Sequence, residues 1–179
     1  MTSKKDYQNI LEGIVAQFGG EISQEERHFG PAAGLPRWYK GIEGGMLMFD
    51  FADYGMFRLE ITLPPPHLLK IIPHSFFTKL LGCSWKTGIP EFDKGYCIQN
   101  VSKENAARTL NSETLNKLTP FLPFMLFELS AHEYRLHKML SIKDGYGAHD
   151  AISDIEQFSL LVQYIQRDIW GLSPIKGIM

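Results

Sequence analysis

Cysteine is scarce in this sequence, which contains only Cys83 and Cys97 among 179 residues. Small domains that are held together by disulfides carry cysteines at much higher density, and this chain offers a single possible pair. It also contains no Cys-x-x-Cys motif. We therefore expect two ordinary free thiols in a reducing compartment, and the predicted location is the cytoplasm.

Clusters of positive charge are also missing. The sequence has 18 Lys and Arg residues against 20 Asp and Glu residues, and no basic cluster is larger than the pair Lys4-Lys5. Binding to a phosphate backbone requires a basic patch, so a nucleic-acid partner is not expected. The longest uncharged apolar stretch, around Leu118 to Phe127, contains two prolines and is much shorter than a membrane span, so no membrane partner is expected.

Complete catalytic and metal-binding motifs are absent as well. His132 and His137 are five residues apart, whereas zinc hydrolases place two histidines four residues apart on one helix. In a strand, an odd separation places the two rings on opposite faces. Residues 82–86 (GCSWK) lack the final glycine of a nucleophile elbow, and Trp85 replaces the glycine that a phosphate-binding loop needs before its lysine. We accordingly predict no catalytic residue, no cofactor, no cofactor-binding residue and no metal ligand.

The residues that are present specify a folded domain. With 44% hydrophobic and 21% charged residues, the chain is expected to form one globular domain over residues 1–179, with possible halves at 1–86 and 87–179. Apolar residues at helical spacing predict a helix that ends at Gly19-Gly20 and a long closing helix over 152–169. Asp150 is a candidate cap for the closing helix, and Ser153 with Glu156 forms a possible capping box.

Between these helices, alternating or densely apolar segments predict strands. Residues 21–36 are interpreted as an irregular connection, and 76–81 fit either a short helix or an edge strand. Ser102 and Ser112 are expected to begin two short helices. The predicted fold is α+β, with an antiparallel sheet of about six to seven strands and the N-terminal and C-terminal amphipathic helices packed on one face. The predicted strands are Trp38–Gly41, Met46–Phe51, Phe57–Leu63, His67–Ile72, Tyr96–Ile98, Phe124–Leu129 and Tyr134–Ile142, with a tight turn at Glu43-Gly44-Gly45.

The segment Thr87 to Leu118 resembles a pattern found in uncharacterised bacterial proteins of unknown function. Its features are a Gly-x-Pro-x-Phe-Asp turn, a strand, and short helices containing Ala and Leu. Ile89 departs from the acidic residue that is often seen in the pattern. The group has no assigned activity, so the resemblance implies a soluble α+β domain and transfers no catalytic residue. The distinctive positions are Gly88, Pro90, Phe92 and Asp93.

Asp93 has two possible roles. In the structural one, Gly88 and Pro90 shape a turn, Phe92 enters the core and Asp93 caps nearby backbone N–H groups. In the catalytic one, Asp93 or Glu91 works with a histidine, although no partner base or nucleophile is visible in the sequence. The structural role is favoured.

Two classes of function remain open. The leading hypothesis is a non-enzymatic protein-binding or assembly domain, as a homodimer or with another protein, because aromatic and Met residues exceed what one core needs. The order of helices and strands also resembles that of type III secretion chaperones, which suggests a chaperone-like role. The rival hypothesis is a small hydrolase-type or other enzyme whose site is assembled from dispersed residues. The residues in question are Trp38, Met46, Met48 and Met56 for binding, and Glu91, Asp93, His67 and His74 for catalysis.

Overall fold

The computed structural model describes residues 4–23, 35–52, 55–75, 78, 82–83, 85–139 and 145–178. Apart from Thr78, the predicted element at 76–81 lies outside the described residues, and so does most of the predicted irregular connection. The elements in chain order are α1 (Lys4–Phe18), β1 (Glu21–Ser23), β2 (Arg37–Ile42), β3 (Gly45–Ala52), β4 (Met56–Thr62), β5 (Leu69–Pro73), α2 (Pro90–Gly95), β6 (Tyr96–Gln99), α3 (Lys103–Thr109), α4 (Ser112–Leu118), a 3₁₀ turn (Thr119–Phe121), β7 (Phe124–Leu129), β8 (Tyr134–Met139), α5 (Ala148–Gln163) and a π-helical turn (Tyr164–Ile169).

The strands form one sheet in the order β1-β2-β3-β4-β8-β7-β5-β6, and every neighbouring pair is antiparallel. The predicted α+β class and antiparallel sheet are confirmed. The predicted strand number is too low, because the described residues alone form eight strands. The missed strand is β1, which lies in a segment predicted to be irregular and pairs with β2 through Glu21 and Tyr39. Three residues are too few to show an alternating pattern, so this strand is defined by its partner.

Two hairpins fix the register of the sheet, and the strands of both were predicted. In the first, β2 and β3 meet at a tight turn where Ile42 pairs with Gly45 and Gly44 has a φ of 79°. A Cβ atom at Gly45 would overlap the carbonyl oxygen of Thr62, so glycine is required there. In the second, β7 and β8 are joined by the polar link 130–133, closed by the backbone hydrogen bond from Ser130 to Glu133.

Helices α1 and α5 pack against each other and against one face of the sheet, as predicted. Phe18 contacts the ring of Trp38, whose indole N–H donates to the carbonyl oxygen of Gly19 at 2.7 Å. Because successive strand residues point to opposite faces, Trp38 shares this face with its cross-strand partner Phe49 and with Leu59. All three side chains are fully buried, and this face therefore forms the hydrophobic core.

The long helix begins earlier than predicted. Gly147 precedes its first turn, and the carboxylate of Asp150 accepts a hydrogen bond from the Gly147 N–H at 2.8 Å. The capping box predicted at Ser153 and Glu156 is wrong, because both residues already lie inside α5. One further contact ties this helix to the sheet: Lys138 on β8 reaches the buried carboxylate of Asp154 at 3.0 Å.

Candidate functional site

The face of the sheet opposite to α1 and α5 carries polar side chains, and we call it the polar face. It is built from the alternate positions of β2, β3, β4, β8, β7 and β5 that do not enter the core. The register places these side chains in rows that run across the strands. Two such rows contain most of the charged residues of the sheet.

The first row crosses four strands and alternates in sign, and we call it the charged row. Arg135 lies at its centre, with its Nε 3.5 Å from the Glu60 carboxylate and its Nη1 3.5 Å from the Glu128 carboxylate. Lys70 closes the row, 3.9 Å from Glu128. The row is Glu60 on β4, Arg135 on β8, Glu128 on β7 and Lys70 on β5.

The second row runs beside the first and includes Asp50, Arg58 and His137. The guanidinium of Arg58 donates to the Asp50 carboxylate at 2.7 Å, and Asp50 is only 1% exposed. This pair joins β3 to β4 by a charge-assisted hydrogen bond whose carboxylate is shielded from solvent.

Burial shifts the pKa of two groups on this face. Burial raises the pKa of the Glu60 carboxyl, and the hydrogen bond that it shares with Glu133 raises it further, while Arg58 and Arg135 act in the opposite direction. Burial lowers the pKa of His137 to about 4, helped by the positive charges of Arg58 and Arg135. His137 is therefore a neutral imidazole at neutral pH.

The structure separates the two histidines that opened the question of a zinc site. His132 lies exposed in the hairpin link, whereas His137 lies within β8 on the polar face. Glu133 sits between them and pairs with Arg135. The two histidines therefore lie on different elements, one in the hairpin link and one in β8.

One edge of the polar face carries a disulfide, and we call this region the disulfide corner. The prediction of two free thiols is wrong, because the sulfur atoms of Cys83 and Cys97 are bonded, with their Cα atoms 5.2 Å apart. The cause is tertiary: Trp85 makes an antiparallel bridge with Ile98, which brings the segment around residue 83 alongside β6. Disulfides are typical of oxidising compartments, so this bond does not support the predicted cytoplasmic location.

Asp93 lies in the same corner and has the structural role that the sequence favoured. Its carboxylate accepts hydrogen bonds from the Thr87 N–H at 2.8 Å, the Thr87 hydroxyl at 2.9 Å and the Gly88 N–H at 2.9 Å. Gly88 has a φ of 82°, and Phe92 is buried against Tyr96. The turn is therefore built around this carboxylate.

The pairs considered for catalysis do not form an acid–base couple in this geometry. His74 approaches the backbone carbonyl oxygen of Asp93 at 3.1 Å rather than its carboxylate, and Glu91 is exposed. His67 lies elsewhere, where its Nε2 is 3.1 Å from the Thr109 hydroxyl and its ring is 4.9 Å from that of Trp170. Burial lowers the pKa of His67, so it too is neutral at neutral pH.

A cleft of about 270 Å³ opens at the disulfide corner, lined among others by His74, Cys83, Lys86 and Asp93. One ring nitrogen of His74 and the sulfur atoms of Cys83 and Cys97 all lie within 4.8 Å of one another. This is the one group of three potential metal ligands among the residues that the structure describes. Sequence reasoning missed it because the three residues belong to separate segments.

Sequence reasoning also missed the charged row. The sequence shows that Arg58 and Glu60 alternate with apolar residues in β4, which is a sign of one solvent-facing side. It does not show that β8 lies next to β4, so the contact between Glu60 and Arg135 could not be foreseen. Only the strand order and register bring the charges together.

Comparison with known proteins gives a fold and no family. No family model matches the chain, and no curated protein matches it. Among solved structures, the chain is similar to the crystal structure of the mycobacterial trehalose monomycolate transport factor A, TtfA, with a TM-score of 0.58 and 8% sequence identity. The match covers 96% of this chain and 98% of the other, so it includes nearly every element described above.

At 8% identity, this likeness shows a shared fold and carries over no residue role. The matched protein is a transport factor and not a secretion chaperone, so the predicted chaperone analogy gains no support. Among the described residues, none of the helices combines the length and the hydropathy that crossing a bilayer requires.

Proposed function

We propose that the chain is a non-enzymatic assembly domain that binds a second copy of itself through the polar face. The observation that carries this proposal is the alternation of charge along the row of Glu60, Arg135, Glu128 and Lys70. The fold likeness to a protein named as a transport factor agrees with a non-enzymatic, transport-associated role.

An alternating row with an even number of charges is complementary to its own reverse. A two-fold axis parallel to the strands, between β8 and β7, reverses the row and brings it face to face with itself. Glu60 then lies opposite Lys70 of the second copy, and Arg135 lies opposite Glu128 of the second copy. Such self-complementarity is the requirement for a two-fold interface, and the aligned strands match the usual packing of two sheets.

The two cations of the row are both accessible and held in place. The Lys70 and Arg135 side chains are 35% and 26% exposed, so their positive groups can reach a facing surface. Their contacts with Glu128 restrict them before binding, which lowers the entropy cost of ordering them at an interface. Complementary charges of this kind contribute mainly specificity and association rate, and their effect weakens as salt is added.

Reversal of the two central charges tests the proposal. Arg135→Glu alone places like charges opposite each other at two symmetric positions, and so does Glu128→Arg alone. The double variant carries opposite charges at these positions again. We expect a wild-type dimer in sedimentation equilibrium at low salt. The dimer affinity should fall by at least about 10-fold in each single variant and recover in the double variant.

Arg167→Glu is the matched control, because Arg167 is an exposed cation paired with Asp168 outside the polar face. Circular dichroism and thermal unfolding confirm that each variant is folded. A chain that stays monomeric at low salt and high concentration rules out the second copy as partner. If the dimer is equally stable in wild type, in both single variants and in the double variant, the interface does not involve the polar face.

A further inference from the structure

We propose that Cys83, Cys97 and His74 form a binding site for a zinc-class transition metal ion when the disulfide is reduced. This site lies at the disulfide corner and does not depend on the assembly proposed above. The bonded and the metal-bound states exclude each other, because a sulfur atom engaged in a disulfide cannot act as a thiolate ligand.

The ligand types and their spacing fit zinc. Thiolate sulfur and imidazole nitrogen are its preferred ligands, at about 2.3 Å and about 2.0 Å, which places the ligand atoms of one ion about 3.5 to 4 Å apart. The two sulfur atoms and one His74 ring nitrogen already lie within 4.8 Å of one another. Opening the disulfide separates the sulfur atoms toward the spacing that the ion requires.

The hydrogen bonding of His74 supports the same conclusion. Its Nε2 lies 3.1 Å from the carbonyl oxygen of Asp93, so it is suited to carry the ring proton and donate it there. Its Nδ1 is buried and has no hydrogen-bond partner within the described part of the chain. Histidine ligands of metals commonly donate one ring N–H to a backbone carbonyl and bind the ion through the other nitrogen.

Neighbouring contacts position two of the three proposed ligands, His74 and Cys97. Asp93, whose carbonyl oxygen orients His74, is fixed through its carboxylate to Thr87 and Gly88. Cys97 lies in β6, fully buried and paired with Ile72. The cleft of about 270 Å³ that His74 and Cys83 line leaves space for a water molecule as the fourth ligand.

The chemistry of loading balances with a dithiol as reductant. The dithiol gives two electrons and two protons to the Cys83–Cys97 bond, yielding two protein thiols and the oxidised, cyclic form of the reductant. Binding of Zn²⁺ then releases the two thiol protons and forms two sulfur–metal bonds. Because two protons compete with the ion, the affinity for Zn²⁺ falls by up to about 100-fold for each unit by which the pH is lowered, as long as both thiols are protonated in the metal-free chain.

The test uses Co²⁺ as a spectroscopic substitute for Zn²⁺. The full chain is reduced with a dithiol, freed of reductant without air, and titrated with Co²⁺ in parallel with the oxidised chain. We expect thiolate-to-cobalt charge-transfer absorption at one ion per reduced chain, none in the oxidised chain, and displacement of the cobalt by Zn²⁺. Bound Zn²⁺ should also slow alkylation of both cysteines, measured by mass spectrometry.

Three variants separate this site from other metal binding. Cys83→Ser should abolish the charge-transfer absorption, and His74→Ala should weaken Co²⁺ binding at least about 100-fold, since loss of a ligand exceeds the effect of losing an outer-shell contact. His132→Ala, an exposed histidine in the hairpin link, should bind like wild type. Thermal unfolding of the reduced proteins shows whether each variant is folded, and His74→Gln provides a second variant at that position.

The proposal is overturned if the folded, reduced wild-type chain gives no charge-transfer absorption. It is equally overturned if His74→Ala and His74→Gln both bind Co²⁺ as tightly as wild type, or if the oxidised chain binds the ion with the same affinity.

Discussion

Acid should destabilise the fold through His137. Burial and the nearby cations Arg58 and Arg135 lower the pKa of this imidazole from 6.5 to about 4 in the folded chain. Between these two pH values the unfolded chain binds a proton that the folded chain does not. The free energy of unfolding therefore rises with pH through this window. The stability that comes from keeping His137 neutral is accordingly lost as the pH falls from about 6.5 to about 4.

The size of the effect follows from the shift. A pKa that moves from 6.5 to about 4 corresponds to about 3 kcal/mol, at about 1.4 kcal/mol for each pKa unit. The ring keeps partial contact with solvent, and screening by water reduces this figure, so we expect about 1.5 kcal/mol. Burial also lowers the pKa of His67, so the contribution of His137 must be isolated by substitution.

The assay is urea unfolding of wild type and His137→Gln at about pH 7.5 and about pH 4.5. Glutamine cannot be protonated in this range, so the loss of stability on acidification should be about 1.5 kcal/mol smaller in the variant. His132→Gln is the control, since this exposed side chain in the hairpin link should leave the pH dependence unchanged. An equal pH dependence in wild type and His137→Gln would refute the argument that the folded polar face excludes the imidazolium.

Three further substitutions test the packing of the fold by chemical unfolding. Gly45→Ala should lower the free energy of unfolding by more than about 2 kcal/mol, because the added methyl group overlaps the Thr62 carbonyl oxygen. Gly41→Ala is the control, since its methyl group meets no atom within 4 Å and should have a much smaller effect. Equal losses of stability in the two variants would contradict the steric account. Asp154→Ala should lower the free energy of unfolding by about 2 to 4 kcal/mol, because it leaves the Lys138 ammonium without its buried partner. A loss below about 1 kcal/mol would show that this ion pair contributes little to stability. Asp93→Ala should lower the free energy of unfolding by about 2 kcal/mol. Asp93→Asn should lower it less, because an amide oxygen still accepts hydrogen bonds from Thr87. An unchanged stability in Asp93→Ala would show that the carboxylate does not hold the turn together.

Local patterns predicted the local elements of this fold. The alternation in Phe57 to Leu63 and the dense apolar run in Phe124 to Leu129 correspond to β4 and β7 within two residues at each end. The first helix and the hairpin turns were also predicted, because stripes, glycines and short polar links act over a few residues. The N-cap at Ser102 was found for the same reason, and its hydroxyl accepts from the Asn105 N–H.

The features that the sequence did not show depend on distant partners. Strand β1 is defined by pairing with β2, and the disulfide depends on the bridge between Trp85 and Ile98. The pKa of His137 depends on Arg58, which lies on a strand far away in the chain. Side-chain periodicity indicates which residues leave the core, but it contains no information on which strand lies beside which.

The position of β7 and β8 between β4 and β5 has a consequence for synthesis of the chain. A ribosome completes β4 and β5 before it has made the two strands that separate them, so the sheet cannot close until residue 139 has emerged. Until then, β4 and β5 each present a row of unpaired N–H and C=O groups, and such rows invite pairing with other molecules. Polypeptides that terminate before Phe124 should therefore aggregate, even though they contain six of the eight strands formed by the described residues.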